Sequence, residues 1–242
     1  MSGHSKWANI KHKKGKADAL RGKITTKISR EITIAVRMGG ADPTGNMKLK
    51  LALSKAKANN IPKDNIQRAI QKGAGALEGQ SFEEITYEGY GPAGVAMMVS
   101  CLTDNRNRTA ADVRHVFSKY GGNLGATGCV SWSFDKKGVL VIDNSEEELE
   151  EDAVMMDAMD CGADDFEAED DCFTIYTDPD DFNAVADAMA AKGYSFSSAQ
   201  IEMVPQNYQK LESEEQISLM EKLLDIMEED DDVQNVWHNW EE

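Results

Sequence analysis

The sequence lacks long hydrophobic runs and contains only four cysteines and five prolines in 242 residues. Its apolar stretches extend over about seven residues or fewer, far short of the roughly 20 that a membrane-spanning helix needs, so we expect no membrane span. The basic N-terminal segment has no apolar core, which predicts no secretory signal. The cysteines are widely spaced and form no Cys-x-x-Cys pair. This pattern excludes a zinc finger or a disulfide scaffold and favours reduced thiols in a cytoplasmic protein.

Residue patterns that carry enzyme chemistry are also missing. Gly22-Lys23 does not complete a nucleotide-binding P-loop, because Ala17 and Ile24 occupy the positions of its first glycine and its hydroxyl residue. No G-x-S-x-G or H-E-x-x-H motif is present. The four histidines lack metal-ligand spacing, and the acidic runs lack the calcium-loop pattern. The sequence therefore predicts a protein with no catalytic activity, cofactor, metal site or small-molecule substrate.

Charge is distributed very unevenly along the chain. The net charge is −17, but residues 1–75 hold 17 of the 26 Lys and Arg residues and only four of the 43 acids. The first 75 residues thus carry +13, and the remainder carries −30. Such asymmetry indicates a basic module for a polyanion attached to an acidic body that repels nucleic acid.

The basic module is predicted to consist of an arm and three helices. Residues 1–16 are predicted to be extended, and a helix is predicted over residues 17–38. Its apolar side consists of Leu20, Ile24, Ile28, Ile32 and Ala35. A stripe of cations about 130° away, Lys23, Lys27, Arg30 and Arg37, is predicted to face solvent. Two shorter helices, which begin after Asp42-Pro43 and at Pro62, complete a three-helix bundle within residues 1–75.

The acidic part is predicted to hold two further domains. Residues 137–204 show a strand–helix–strand–strand–helix–strand order, which is typical of a ferredoxin-like split βαβ unit. The stretches on either side, residues 81–136 and 205–242, each look incomplete and are predicted to form one discontinuous domain, with a strand at residues 129–134. The expected fold class is therefore α+β, with an N-terminal three-helix bundle and two α/β ferredoxin-like domains, one inserted in the other. Three capping boxes are predicted to mark helix starts: Thr109-x-x-Asp112, Ser145-x-x-Glu148 and Ser213-x-x-Gln216.

The basic arm is the first candidate nucleic-acid contact. Lysine and histidine side chains bind phosphates, and an indole stacks on an exposed base. The candidate residues of the arm are His4, Lys6, Trp7, Lys11, His12, Lys13, Lys14 and Lys16. The alternative is that Trp7 packs on the bundle and the lysines only improve solubility. Continuation of the positive charge along Lys23, Lys27 and Arg30 favours polyanion binding.

Two polar loops are further candidates. Arg106 and Arg108 lie in the segment Asp104-Asn105-Arg106-Asn107-Arg108-Thr109 and are suited to bind phosphate, although local pairing with Asp104 explains them equally well. The glycines of Gly121-Gly122-Asn123-Leu124-Gly125 are better explained by a helix end and a tight turn than by an anion cradle.

Four motifs together resemble the YebC/PmpR family. They are Gly3-His4-Ser5-Lys6-Trp7, Tyr87-Glu88-Gly89-Tyr90-Gly91-Pro92, the 104–109 segment and the 121–125 segment. The resemblance covers nearly the whole chain and implies a three-domain fold with one α/β domain inserted in another. It also implies a non-enzymatic regulatory role. Members are described as probable DNA-binding transcriptional regulators, a mitochondrial branch as translational activators, and bacterial members are linked to ribosomes that translate difficult sequences such as proline runs.

Two functions therefore remain open at the level of sequence, with a third as a weaker possibility. A DNA-binding transcriptional regulator is what the resemblance implies first, yet no helix-turn-helix is evident. A ribosome- or RNA-associated translation factor needs only cations whose positions match the shape of the RNA. A lysine-rich helix suits phosphates better than base edges. An acidic scaffold for basic proteins would use the −30 body and leave the arm unexplained.

Overall fold

The computed structural model describes residues 4–75, 82–145, 149–169 and 171–241, without the side chains of residues 4–21 and 47. Helices and strands alternate along this part of the chain. The helices are α1 (His4–Gly39), α2 (Met47–Ala58), α3 (Lys63–Ala74), α4 (Arg106–Lys119), α5 (Glu151–Asp160), α6 (Phe182–Ala191) and α7 (Glu214–Glu229).

The strands form two four-stranded sheets and one short pair. They are β1 (Glu83–Tyr90), β2 (Ala96–Thr103), β3 (Asn123–Leu124), β4 (Phe134–Asp143), β5 (Asp165–Glu169), β6 (Cys172–Thr177), β7 (Ser198–Pro205), β8 (Gln209–Lys210), β9 (Val233–His238) and β10 (Trp240–Glu241). One sheet has the order β3-β1-β2-β9, the other has the order β5-β6-β4-β7, and β8 pairs with β10. The expected α+β class is confirmed by this mixture of helices and antiparallel sheets.

The chain divides into two compact units. The larger unit comprises Lys16–Ser133 and Gln209–Trp240, and the smaller unit comprises Phe134–Tyr208 with the chain ends Met1–Gly15 and Glu241–Glu242. The three-domain boundaries read from the sequence stay a prediction.

Helices α1, α2 and α3 of the larger unit share a core with the predicted helical periodicity. Ile28, Ile32 and Ala35 of α1 are buried, as are Leu49 of α2 and Ala69 of α3. Residues three or four apart in a helix share one face, so this spacing alone sets the side that packs. A close approach completes the packing: a Cβ on Gly73 of α3 would lie 2.5 Å from the carbonyl oxygen of Thr33 on α1.

The predicted extended arm is wrong as a description of the backbone, because α1 already begins at His4. Lysine, a good helix former, is the commonest residue of this segment. Adding residues to an existing helix also costs far less than starting one, so the helix continues through Gly15. The predicted strand over residues 129–134 is also wrong: Ser131–Ser133 form a 3-10 turn and β4 begins at Phe134.

Two of the three predicted capping boxes are wrong. Helix α4 begins three residues earlier than Thr109, with the Asn105 side chain accepting a hydrogen bond from the Arg108 amide. Helix α5 begins after Glu150, and residues 146–148 of the second box lie outside the described part. The third is confirmed, since the Ser213 hydroxyl accepts a hydrogen bond from the Gln216 amide at 3.1 Å. The start predicted for α2 at Asp42-Pro43 is likewise wrong, because its N-cap is the buried Asn46.

The sheet of the larger unit is built around β2, which is buried along nearly its whole length. Helices α4 and α7 supply the other half of this core. The buried residues are Val95, Met97, Val99, Cys101, Val113, Phe117, Leu211, Met220, Leu223, Met227, Val233 and Trp240. This sheet opens with the hairpin β1–β2, so its connectivity differs from the strand–helix–strand start of a split βαβ unit.

The smaller unit shows the predicted order of elements, β4-α5-β5-β6-α6-β7. All neighbouring strands in its sheet are antiparallel. Val154 and Ala158 of α5 and Phe182, Val185 and Met189 of α6 are buried. Among the residues that the structure describes, no helix is long and apolar enough to cross a membrane.

Candidate nucleic-acid interface

The backbone of the arm forms the first part of helix α1. Its candidate residues, His4, Lys6, Trp7, Lys11, His12, Lys13, Lys14 and Lys16, lie outside the residues whose side chains the structure describes. Their contact with nucleic acid stays a prediction.

The cationic stripe of α1 lies against the C-terminal end of α7. The Nζ atom of Lys27 donates a hydrogen bond to the carbonyl oxygen of Glu228 at 2.7 Å, and that of Lys23 donates to the carbonyl oxygen of Glu229 at 3.3 Å. The last carbonyls of a helix have no partner within the helix and carry partial negative charge, so cations are stabilised there. The prediction that this stripe faces solvent is therefore wrong for Lys27, whereas the Lys23 side chain is still 43% exposed.

Arg30 completes the stripe and binds the loop that follows α7. Its Nη1 atom donates to Oδ1 of Asp232 at 2.8 Å and also approaches the carbonyl oxygens of Asp231 at 3.0 Å and Leu102 at 3.2 Å. The Arg30 side chain is only 22% exposed and that of Asp232 only 10%. Arg30 thus joins α1 to β2 and to the residues just before β9. The prediction that Arg30 faces solvent is wrong.

Asp232 collects hydrogen bonds from three further side chains. Its Oδ2 atom lies 2.7 Å from Nη2 of Arg108, 3.0 Å from the hydroxyl of Thr103 and 2.9 Å from that of Thr109. Burial alone would raise the pKa of Asp232, but the hydrogen bonds from Arg108, Thr109, Thr103 and Arg30 outweigh it and hold the pKa below its ordinary value. The carboxylate is therefore ionised and serves as an intramolecular junction.

The two arginines of the 104–109 loop behave differently. Arg108 pairs with Asp232 and also with Asp104 at 3.1 Å, so the local-pairing alternative describes its contacts. The hydrogen bond to Asp232 is the largest cause of the raised pKa of Arg108. Arg106 is exposed and forms no ion pair with a described residue. Of the two, Arg106 is the side chain that stays accessible to a ligand.

A basic groove lies between α1 and α3. It encloses a volume of about 510 Å³. Four cations and one carboxylate line it, together with hydroxyl, amide and apolar side chains. The lining residues are Thr25, Thr26, Ser29, Arg30, Thr33, Ile34, Arg37, Asn65, Arg68, Ala69, Lys72, Phe82 and Asp104. The lining of the basic groove thus has a net charge of +3 and includes four hydroxyl side chains.

Helix periodicity brings the polar residues of α3 together on the side that lines the basic groove. Asn65, Arg68 and Lys72 recur at spacings of three and four residues and so share one face of α3. Arg68 and Lys72 are exposed, and neither forms an ion pair with a described residue. On the opposite wall, the guanidinium carbon of Arg30 lies 5.5 Å from the centre of the Phe82 ring. The groove therefore offers accessible cations on α3 beside a wall that internal contacts hold in place.

Sequence profiles of known families match almost the whole chain. One profile, described as "TACO1/YebC protein N-terminal domain", matches residues 5–76, and another, described as "TACO1/YebC second and third domain", matches residues 82–240. The chain belongs to the TACO1/YebC family. The resemblance drawn from the sequence motifs is confirmed.

Family relatives are similar over nearly their full length. A "probable transcriptional regulatory protein" of Ruminiclostridium cellulolyticum is 58% identical over 242 residues, which is 100% of this chain and 97% of the relative. One of the same name from Acetivibrio thermocellus is 56% identical and covers 99% of each chain. The crystal structure of a conserved hypothetical protein from Aquifex aeolicus is similar with a TM-score of 0.84 and 45% identity over 94% of this chain and 93% of that one.

The α3 side of the basic groove was missed by sequence reasoning. The sequence predicts α3 only as the third helix of the bundle, and none of its polar residues was a candidate contact. The polar face carried an equally regular signal, since Arg68 and Lys72 are four residues apart. In this member of the YebC family, Arg68 and Lys72 of α3 are exposed in the groove, while Lys27 and Arg30 of the α1 stripe contact the chain itself.

Proposed function

We propose that this chain is a non-enzymatic, cytoplasmic regulator of gene expression that binds the sugar–phosphate backbone of nucleic acid in the basic groove. The proposal rests on the composition of the groove's lining, which has four cations, one carboxylate and four hydroxyl groups. Guanidinium, ammonium and hydroxyl groups are the side chains that most often contact phosphate and sugar.

Accessibility supports Arg68 and Lys72 as the main phosphate contacts. Both are exposed and neither forms an ion pair with a described residue, so binding a phosphate breaks no existing salt bridge. Lys23 and Lys27 contact the end of α7, and Arg30 contacts Asp232 in the loop that follows it. A phosphate would have to displace those contacts. The exposed Arg106 and the arm residues predicted from the sequence are further candidate phosphate contacts.

DNA is the first candidate ligand, because the similar bacterial proteins are named probable transcriptional regulatory proteins. The groove's hydroxyl groups favour RNA as the second candidate. Thr26, Ser29 and Thr33 line one wall. The hydroxyls of Thr26 and Thr33 donate to carbonyl oxygens of α1, which leaves their oxygens to accept a hydrogen bond from a ribose 2′-OH. The second candidate function is therefore an RNA- or ribosome-associated translation factor that helps translation of difficult sequences.

The proposal is tested with the double charge reversal R68E/K72E in the full chain. Fluorescence-anisotropy titrations at several salt concentrations would compare a promoter duplex with a structured ribosomal RNA. We expect weaker binding and a flatter plot of log affinity against log salt, by about 0.7–0.9 for each lost phosphate contact. The matched control K57E/K63E makes the same charge change at two exposed lysines that do not line the groove.

Equal losses in R68E/K72E and K57E/K63E would show that net charge alone governs binding, and the basic groove would then not be the site. A loss specific to R68E/K72E that is larger for the promoter duplex supports the transcriptional function. A loss that is larger for the ribosomal RNA supports the translational one, and co-sedimentation with ribosomes that RNase but not DNase abolishes would confirm it.

A further inference from the structure

Three exposed methionines lie together on α5 of the smaller unit. Met155, Met156 and Met159 are 38%, 64% and 42% exposed. In the described part of this unit, all of the exposed large hydrophobic side chains lie on this one helix. Scattered apolar residues are normal on protein surfaces, whereas an apolar group on one helical face marks an interaction site. We call these three residues the methionine face.

The fold of the smaller unit does not require the methionine face. Helix α5 packs through Val154 and Ala158, which are 1% and 0% exposed. Its flank is fixed by Asp157, which binds Lys192 and accepts a hydrogen bond from the Tyr194 hydroxyl at 2.7 Å. The hydrogen bonds from Lys192 and Tyr194 lower the pKa of Asp157. The helix is therefore held in place while its methionines stay accessible.

Strong negative charge surrounds the methionine face. Residues 134–208 contain 21 acids and only three lysines. Glu151 and Asp152 lie one helical turn before the methionines, and Asp160 follows them. All three are exposed and form no ion pair with a described residue. An apolar centre with carboxylates at both ends is complementary to a helix that carries leucine-like residues on one face and lysines beside them.

We propose that the methionine face is a docking surface for a basic amphipathic helix of a partner protein. Methionine suits this role because its flexible, polarisable side chain adapts to apolar partners of different shape. The carboxylates select a cationic partner and repel nucleic acid and acidic proteins. This interaction is separate from the basic groove, so its outcome is independent of the proposed function.

The test uses the full chain and a defined probe, a fluorescently labelled Leu/Lys peptide of about 18 residues that forms an amphipathic helix. A scrambled peptide of the same composition has the same charge but no apolar face. We expect the amphipathic peptide to bind more tightly than the scrambled one. The variant M155Q/M156Q/M159Q should weaken that binding by more than about tenfold. Met38→Gln, which changes a methionine that is 66% exposed in the larger unit, should leave it unchanged.

A second measurement needs no substitution. In protein labelled at the methionine methyl groups, the signals of Met155, Met156 and Met159 should shift on addition of the amphipathic peptide, while that of Met38 should not. Equal binding of the two peptides would overturn the proposal in favour of simple charge attraction. The same holds if M155Q/M156Q/M159Q binds the amphipathic peptide as tightly as the wild type, or if the methyl signals do not shift when this peptide is added. Self-association of the wild type that M155Q/M156Q/M159Q abolishes would overturn it in favour of a contact between copies of this chain.

Discussion

Arg30 and Asp232 are 202 positions apart in the sequence, yet Nη1 of Arg30 lies 2.8 Å from Oδ1 of Asp232. The pair joins helix α1 of the basic module to the loop between α7 and β9 of the acidic body. Arg108, Thr103 and Thr109 contact the other carboxylate oxygen. One buried carboxylate therefore connects the helical module, β2 and α4. The basic module and the acidic body, which differ in the sign of their net charge, are held together here by ion pairs.

Removing the Asp232 carboxylate should destabilise the fold strongly. Asp232→Ala leaves Arg30 and Arg108 without this partner, and we expect the free energy of unfolding in urea to fall by about 3 kcal/mol. That is the lower end of the range for breaking a buried ion pair, because Arg108 is half-exposed and can be rehydrated. Asp231→Asn is the control at an exposed neighbour and should change stability by less than about 0.5 kcal/mol. Equal effects of the two variants would contradict a central role for Asp232.

The same junction predicts acid sensitivity. Since the pKa of Asp232 is lower in the folded chain than in the unfolded one, its stabilising contribution is complete above the unfolded pKa. It is lost as the pH falls through the folded pKa. The difference in unfolding free energy between the wild type and Asp232→Asn should therefore be constant near neutral pH and shrink below about pH 4. A difference that does not change with pH would show that the charge of Asp232 contributes nothing.

Glu88 is predicted to hold the loop that carries Trp132. Its buried carboxylate accepts hydrogen bonds from the amides of Gly128, Val130 and Ser131 at 2.8–3.0 Å. Burial raises the pKa of Glu88, and these hydrogen bonds lower it by more. Glu88→Gln turns one acceptor into a donor that faces an amide, so we expect a loss of about 2 kcal/mol and faster hydrogen exchange at residues 128–131. Glu84→Gln, which removes a largely exposed ion pair with Lys48, is the control and should cost less than about 0.5 kcal/mol.

Two glycines in helices are expected to respond in opposite directions to alanine. In Gly73→Ala the new Cβ would lie 2.5 Å from the Thr33 carbonyl oxygen, so helices α1 and α3 must separate and the thermal midpoint should fall. In Gly22→Ala the Cβ meets no atom within 4 Å, and the higher helix propensity of alanine should raise stability by about 0.5–1 kcal/mol. A gain in both variants, measured by circular-dichroism melting, would show that the close approach of α1 and α3 is absent in solution.

Sequence reasoning succeeded where a local pattern determines the structure. The apolar spacing of Ile28, Ile32 and Ala35 gave the buried side of α1, because helix geometry alone decides which residues share a face. The Ser213 cap was found for the same reason, since its partner Gln216 is three residues away. The alternation of strands and helices in residues 137–204 gave the order of elements in the smaller unit.

Contacts between distant segments were beyond the reach of the same reasoning. The Lys27 side chain looks solvent-facing when α1 is considered alone, and nothing within α1 reveals that the end of α7, 201 residues later, packs on it. Thr109 looked like a cap because its neighbours fit a capping box, whereas its hydroxyl is part of the Asp232 junction and Asn105 caps α4. The basic groove was missed because its two walls, α1 and α3, are separate helices whose polar faces meet only after the core has formed.

The last prediction separates cations that hold the fold together from cations that bind a ligand. Lys27→Glu places a carboxylate at the C-terminal end of α7, where the carbonyl of Glu228 and the negative end of the helix dipole repel it. We expect a loss of about 1–2 kcal/mol in the free energy of unfolding. Arg68→Glu changes an exposed side chain without an ion pair to a described residue and should alter stability by less than about 0.5 kcal/mol.

The effects of these two variants on nucleic-acid affinity should be the reverse of their effects on stability. Arg68→Glu is expected to weaken binding to nucleic acid and to flatten the salt dependence by about 0.7–0.9, because a phosphate contact is lost. Lys27→Glu, measured below its melting temperature, is expected to bind with nearly wild-type affinity, since its ammonium group contacts the chain itself. Both variants carry the same change in net charge, so long-range electrostatics cannot distinguish them. If Lys27→Glu keeps full stability and loses affinity as Arg68→Glu does, the stripe on α1 faces the ligand as its periodicity predicts, and the contact with α7 does not persist in solution.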